Sequence, residues 1–241
     1  MTRHDDPRIS VNGETLLLDK SGAAFWPAQS TLVFADLHFE KGSAFARRGA
    51  LLPPYDTRAT LKRMAEVIAR RAPTRIIALG DSFHDGEAAG RLDKEECAAL
   101  STMAARAEWI WVEGNHDPKP SPWLGGCVAA EIALGGLLFR HVPAGQRGEV
   151  AGHLHPATVV RRNGMGVRRR CFVSDGSCLL LPAFGAYAGG LDVRDTAIAS
   201  LFAGGFAVYA LGRERVYLVQ RRKKSEETQP SSTASSTVAT P

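Results

Sequence analysis

Arg75-Ile76-Ile77-Ala78-Leu79-Gly80-Asp81 is a short apolar run that stops abruptly at an acid, and two runs built the same way flank it. Thr31-Leu32-Val33-Phe34-Ala35 ends in Asp36; Glu108-Trp109-Ile110-Trp111-Val112 leads into Gly114-Asn115-His116-Asp117. Runs of this length, rich in β-branched and aromatic residues and closed by Gly or Asp, read as buried strands. Between the first two, Pro53-Pro54 precedes Asp56, a candidate N-cap, and Leu61, Met64, Val67 and Ile68 share one helical face until Pro73. Between the second and third, Asp93 and Glu96 stand at capping-box spacing ahead of Cys97 and Leu100. Strand, helix, strand, helix, strand predicts an α/β half with a partly parallel sheet.

Working outward, Asn12-Gly13 separates two short apolar runs near the N-terminus, a hairpin signal. From about residue 128 the pattern becomes mostly strand: runs at 128–134, 137–142, 149–160, 166–173, 177–182, 206–211 and 214–219 are punctuated by Gly135-Gly136, Asn163-Gly164, Asp175-Gly176 and Gly212. No linker, repeat or heptad divides the halves. The expectation is one two-sheet domain over residues 1–220, followed by a disordered tail, 221–241, that opens with Arg221-Arg222-Lys223-Lys224 and continues Ser/Thr/Pro-rich.

Composition sets the outer limits. Of 241 residues, 44% are hydrophobic and 23% charged, which excludes a chain disordered throughout. The longest apolar stretch, 132–139, lies between Glu131 and Arg140 and is split by two glycines, so no transmembrane helix is expected. Residues 1–7 carry two acids and Pro7 where a secretory signal would be apolar, and a cytoplasmic location is the expectation. Cys97, Cys127, Cys171 and Cys178 form no CxxC pair and read as reduced core thiols. A formal charge of +5 permits an anionic partner.

Five segments carry chemistry: Asp36-Leu37-His38, Gly80-Asp81, Gly114-Asn115-His116-Asp117, His141, and Gly152-His153-Leu154-His155. Each lies at or near a strand end, where open α/β sheets build sites. Carboxylate, amide and imidazole donors together suit Mn, Fe or Zn better than an all-oxygen Mg or Ca site. On a strand, residues i and i+2 share a face, which would aim Asp36 with His38, and His153 with His155, into one pocket. The chain has no phosphate loop, dinucleotide fingerprint or G-x-S-x-G elbow.

In this order the five blocks resemble the signature of the calcineurin-like metallophosphoesterases, D-x-H, G-D, G-N-H-D/E, H and G-H-x-H, over about residues 31–156. Stretches 36–42, 45–49, 52–57, 80–85 and 181–185 look further like the PdeM branch, the ligase-associated DNA-damage-response metallophosphoesterases. The resemblance implies a four-layer α-β-β-α sandwich with two mixed sheets and two divalent cations, Mn foremost. It implies one cation on Asp36, His38 and His155, a second on Asn115, His141 and His153, and Asp81 bridging, which suits in-line phosphoryl chemistry. His116 would be the general acid. Its orienting partner would be Asp117 or Asp85, because His84 stands where many relatives carry an aspartate; His84 itself would touch substrate or close a loop.

Arg47 and Arg48 follow the first block, and Arg161, Arg162, Arg168, Arg169 and Arg170 flank the Asn163-Gly164 turn, a pattern that would suit a phosphate-tracking rim. The implied activity is phosphodiester hydrolysis on DNA, as a repair endonuclease working with a ligase, nuclease or helicase. A small-molecule phosphodiesterase or nucleotide pyrophosphatase is the rival enzyme. A metal-poor scaffold is the rival outside enzymes, and the complete donor set argues against it.

Overall fold

The computed structural model describes residues 6–117 and 122–223. β1 (Arg8–Val11) and β2 (Glu14–Leu18) form the expected hairpin around Asn12 and Gly13, whose φ angles of 49° and 88° are those a type I′ turn needs. β3 (Ala24–Trp26) and β4 (Thr31–Ala35) extend the sheet antiparallel, and β5 (Arg75–Leu79), β6 (Glu108–Val112) and β7 (Cys127–Ala129) add in parallel. Parallel neighbours need crossovers. α1 (Lys41–Arg47) and α2 (Asp56–Arg71) supply the first, α3 (Lys94–Ala104) the second.

The central strands β4, β5 and β6 are nearly continuous apolar runs because both of their faces are covered. Leu32, Phe34, Ile76, Ala78, Trp109 and Trp111 pack with Leu61, Met64, Val67 and Leu100 of the helices. Their alternates, Val33, Ala35, Ile77, Leu79, Ile110 and Val112, pack with Phe139, Val150 and Phe172 of a second sheet. That sheet contains β8 (Glu131–Leu134), β9 (Leu137–Arg140), β10 (Glu149–Ala151), β11 (Ala157–Arg162), β12 (Met165–Ser174), β13 (Leu179–Leu180), β14 (Gly205–Leu211) and β15 (Val216–Lys223). Its order is β15-β14-β12-β13-β10-β9-β8, with β11 on β12; β10 runs parallel to β9 and β13, and the other pairs are antiparallel. The expected sandwich of two mixed sheets is present. Its fourth layer is thin, the single turn α4 (Thr196–Ala199) with Ile198 and Phe202 packed on Val173, Leu180 and Val208.

Several local expectations need correction. The 128–134 run bends at Ala130 and belongs to both sheets, β7 to the first and β8 to the second; periodicity records burial and is blind to a change of sheet. The 149–160 run breaks into β10 and β11 around residues 152–156. The tail boundary at 221 falls early, because β15 pairs to Lys223 against Gly205, and backbone pairing at a sheet edge needs no apolar side chain. The remaining tail residues, 224–241, lie outside the described residues. Cys171 and Cys178 are buried as expected, whereas Cys127 is exposed.

α1 is a helix the sequence pattern does not announce. Its N-terminal donors are satisfied from α2: Gly42 N–H donates to Asp56 Oδ2 at 2.9 Å, and Thr57 Oγ1 accepts from Glu40 N–H at 2.8 Å while donating to Glu40 Oε1 at 2.9 Å. Asp56 therefore caps α1 and not α2, whose N-cap position is Tyr55 without a side-chain bond. Among the described residues no helix is long and apolar enough to cross a membrane.

Candidate metal centre

The C-terminal ends of β4, β5, β6, β9 and β10 meet along one edge of the sandwich, and the five motif segments converge there. Two donor clusters result. Asp36, His38 and His155 form the first, with His155 Nε2 at 3.2 Å from both Asp36 Oδ1 and His38 Nε2. Asp81, His141 and His153 form the second; His141 Nε2 lies 3.4 Å from Asp81 Oδ1, 3.1 Å from His153 Nδ1 and 2.9 Å from Asn115 Oδ1. Asp81 stands between them, its other oxygen 3.9 Å from His38 Nε2.

The route by which these residues converge differs from the expected strand faces. Asp36, His38, Asp81, His153 and His155 all have positive φ, from 45° to 70°. Each is a left-handed residue in a loop just past a strand, so i and i+2 do not share a face, and His153 and His155 part to serve different clusters. Asp and His tolerate this region better than most residues, and strain of this kind gathers at functional sites. The close approach also needs glycine. A Cβ on Gly114 would stand 2.1 Å from Asp81 N, and one on Gly152 2.7 Å from Asp36 Oδ2.

The donor chemistry fits divalent cations. His141 Nδ1 donates to Leu79 O at 3.0 Å, which turns Nε2 toward Asp81 Oδ1, Asn115 Oδ1 and His153 Nδ1, a gathering of donor atoms that a shared positive charge would stabilise. Burial pushes His141 down, but Asp81 and Asp36 outweigh it and hold the imidazole above its usual range, a sign of a pocket that attracts positive charge. Burial, then His155, pushes His38 well below the usual imidazole range, leaving it a neutral donor. Burial raises Asp81, but the bonds from His141 and the His116 N–H hold the carboxyl down.

His116 is the most exposed of these rings and lies 3.9 Å through Nε2 from Asp81 Oδ2. Its orienting partner is neither Asp85 nor Asp117. Nδ1 lies 2.9 Å from the backbone carbonyl of His84, and the two rings stack at 5.2 Å with a 20° interplanar angle. Burial, then Lys41 and His116, lowers His84 to about 4, so it is a neutral plate behind His116. Asp85 is engaged by Arg91 at 2.7 Å. Asp117 accepts from Phe83 N–H at 3.0 Å and is raised to about 7 by burial, a clasp between two loops.

The arginines divide. Arg47 is exposed and paired with Glu87, and Arg48 is exposed. On β12, Arg168 reaches Gly190 O, whereas Arg169 lies on the opposite face of the strand beside Val160 and Tyr217. Arg170 is half-buried and donates to the carbonyls of Ala183, Phe184 and Ala186 at 2.9–3.3 Å, holding the segment whose Gly185 N–H bonds Asp36 O. The arginines around the hairpin are therefore not one rim, and Arg170 is an anchor. Arg170→Met should destabilise the fold by about 2–4 kcal/mol in urea unfolding, since it strands buried carbonyls; a change under about 0.5 kcal/mol would remove that role. Sequence reasoning also passed over Lys41, half-buried at the start of α1, whose charge bears on His38 and His84. Its place three residues past His38 was the available signal.

The family model described as calcineurin-like phosphoesterase matches residues 30–167, the segment holding every candidate ligand. The crystal structure of the Pseudomonas putida nuclease MPE aligns with a TM-score of 0.69 and 28% identity over 89% of this chain and 100% of its own. The E. coli phosphoesterase YfcE aligns over 80% of this chain and 98% of its own, with a TM-score of 0.40 and 14% identity. No curated protein matches the chain. Since the matching model spans more than half of the residues and takes in both donor clusters, the chain belongs to the calcineurin-like phosphoesterase family.

Proposed function

We propose that this chain is a two-metal phosphoesterase that hydrolyses phosphodiester bonds, with DNA as its substrate, in a repair setting with a ligase, nuclease or helicase as the PdeM resemblance implies. The observation that carries the reading is Asp81, which offers one oxygen to each of two donor clusters. In this reading Asp36, His38 and His155 hold one cation, Asn115, His141 and His153 hold the other, and Asp81 is shared. When bound, the cations supply Lewis-acid charge to the phosphoryl group, and the mixed imidazole, carboxylate and amide set favours Mn, with Fe or Zn the alternatives. His116 gives a proton from Nε2 to the leaving oxygen while Nδ1–H donates to His84 O, which fixes the ring. DNA is favoured by the 28% identical relative, itself a nuclease, and by the +5 charge.

The test compares plasmid DNA with a chromogenic diester and monoester after chelation and reloading with single metals. Chelation should abolish every activity, with Mn restoring it best; undiminished turnover in excess chelator would end the two-metal reading. DNA cleavage should fall with salt more steeply than diester hydrolysis, because only the polymer releases many counterions. Matching slopes would move the substrate to a small phosphodiester.

A further inference from the structure

The basic side chains around the metal centre are mostly engaged. Arg47 is paired with Glu87, Arg91 with Asp85, and Arg63 and Arg170 with backbone carbonyls of the 183–188 segment. Lys41 differs: among the described residues its ammonium makes no ion pair and no hydrogen bond. It lies over the ring of Phe45 one turn along, with Nζ 5.9 Å from the centroid. From there a row of rings leads into the site: Phe45 lies 5.9 Å from His84, and His84 lies 5.2 Å from His116 and 5.6 Å from His38.

The origin of this side chain is fixed. Lys41 stands between Glu40 and Gly42, whose backbone N–H groups are both clamped by α2 through Thr57 and Asp56. The carboxylates that bear on it, Asp56 and Asp81, are committed to Gly42 N–H and to the donor cluster. A half-buried ammonium without an anion is costly, and burial and then Arg170 already hold Lys41 below the usual lysine range. An anion arriving beside the cations would offset that cost.

We propose that Lys41 binds a non-bridging oxygen of the substrate's phosphoryl group, as a third positive charge beside the two cations. This rests on the phosphoesterase reading and adds a substrate-binding residue to it. Lysine suits the task as a compact point charge with three donors.

The test uses the metal-loaded protein with inorganic phosphate as the probe. Lys41→Met keeps the stem over Phe45 and removes the charge. Its bound metal should be unchanged, phosphate inhibition should weaken by about tenfold or more, and kcat/KM on a chromogenic diester should fall by about 10- to 100-fold. Phosphate inhibition within about twofold of wild type, with metal content intact, overturns the proposal. A measurement on the unaltered chain guards against a variant that misfolds: phosphate should protect Lys41 from acylation while exposed Lys62 stays reactive, and equal labelling with and without phosphate also overturns it. If the unaltered chain hydrolyses no phosphoester, the parent reading fails; if it does and Lys41→Met behaves like it, only this inference fails.

Discussion

Asp81→Ala is expected to lower the occupancy of both cation positions at once and to cut phosphodiester turnover by at least about 10³-fold. The side chain is buried and faces both donor clusters, at 3.9 Å from His38 and 3.4 Å from His141. It also accepts from His116 N–H at 2.9 Å, so the loop that carries His116 loses its tie to the site in the same variant. Metal-supplied stabilisation of a phosphoryl transition state is worth several kcal/mol, and about 4 kcal/mol corresponds to about 10³ in rate. Metal analysis is the direct check: His155→Ala should disturb the first position more than the second, whereas Asp81→Ala should disturb both. An Asp81→Ala protein that kept its metal and a near-normal rate would show that the carboxylate is not shared.

His116→Ala should keep its metal and lose about 10²–10⁴ in rate on a substrate with a poor leaving group. The loss should shrink on nitrophenyl esters, whose leaving oxygen needs little protonation. The geometry separates this residue from the metal donors, since Nδ1 is held by a backbone carbonyl and Nε2 stays 3.9 Å from Asp81. Equal losses on the two substrates would remove the proton-transfer role and leave His116 a structural neighbour of the site.

Much of the architecture was legible because it rests on local rules. The Asp93–Glu96 capping box forms with bonds of 2.8 and 3.1 Å, and the three apolar runs become the parallel strands β4, β5 and β6. The members of both donor clusters could be named from the motif blocks, although the backbone that brings them together is left-handed loop and not strand. What stayed hidden depends on partners distant in the chain. α1 is capped by Asp56 and Thr57, well downstream of its start. The partner of His116 is a main-chain carbonyl, which no residue type reveals. Arg168, Arg169 and Arg170 look alike as a charge run, yet strand alternation sends Arg169 away from the other two.

The left-handed backbone at Asp36, His38, Asp81, His153 and His155 ties metal supply to survival of the fold. Each such residue gives up of order 1 kcal/mol against a relaxed loop, and packed alongside are the buried carboxylates of Asp36 and Asp81, whose ion-pair partners among the described residues are histidines. Cations that bind only the native loops return that energy by mass action. Metal uptake and folding are then one equilibrium: a chelated sample is a less stable protein as well as an idle catalyst, and scarcity of divalent metal reduces the amount of folded chain along with its turnover.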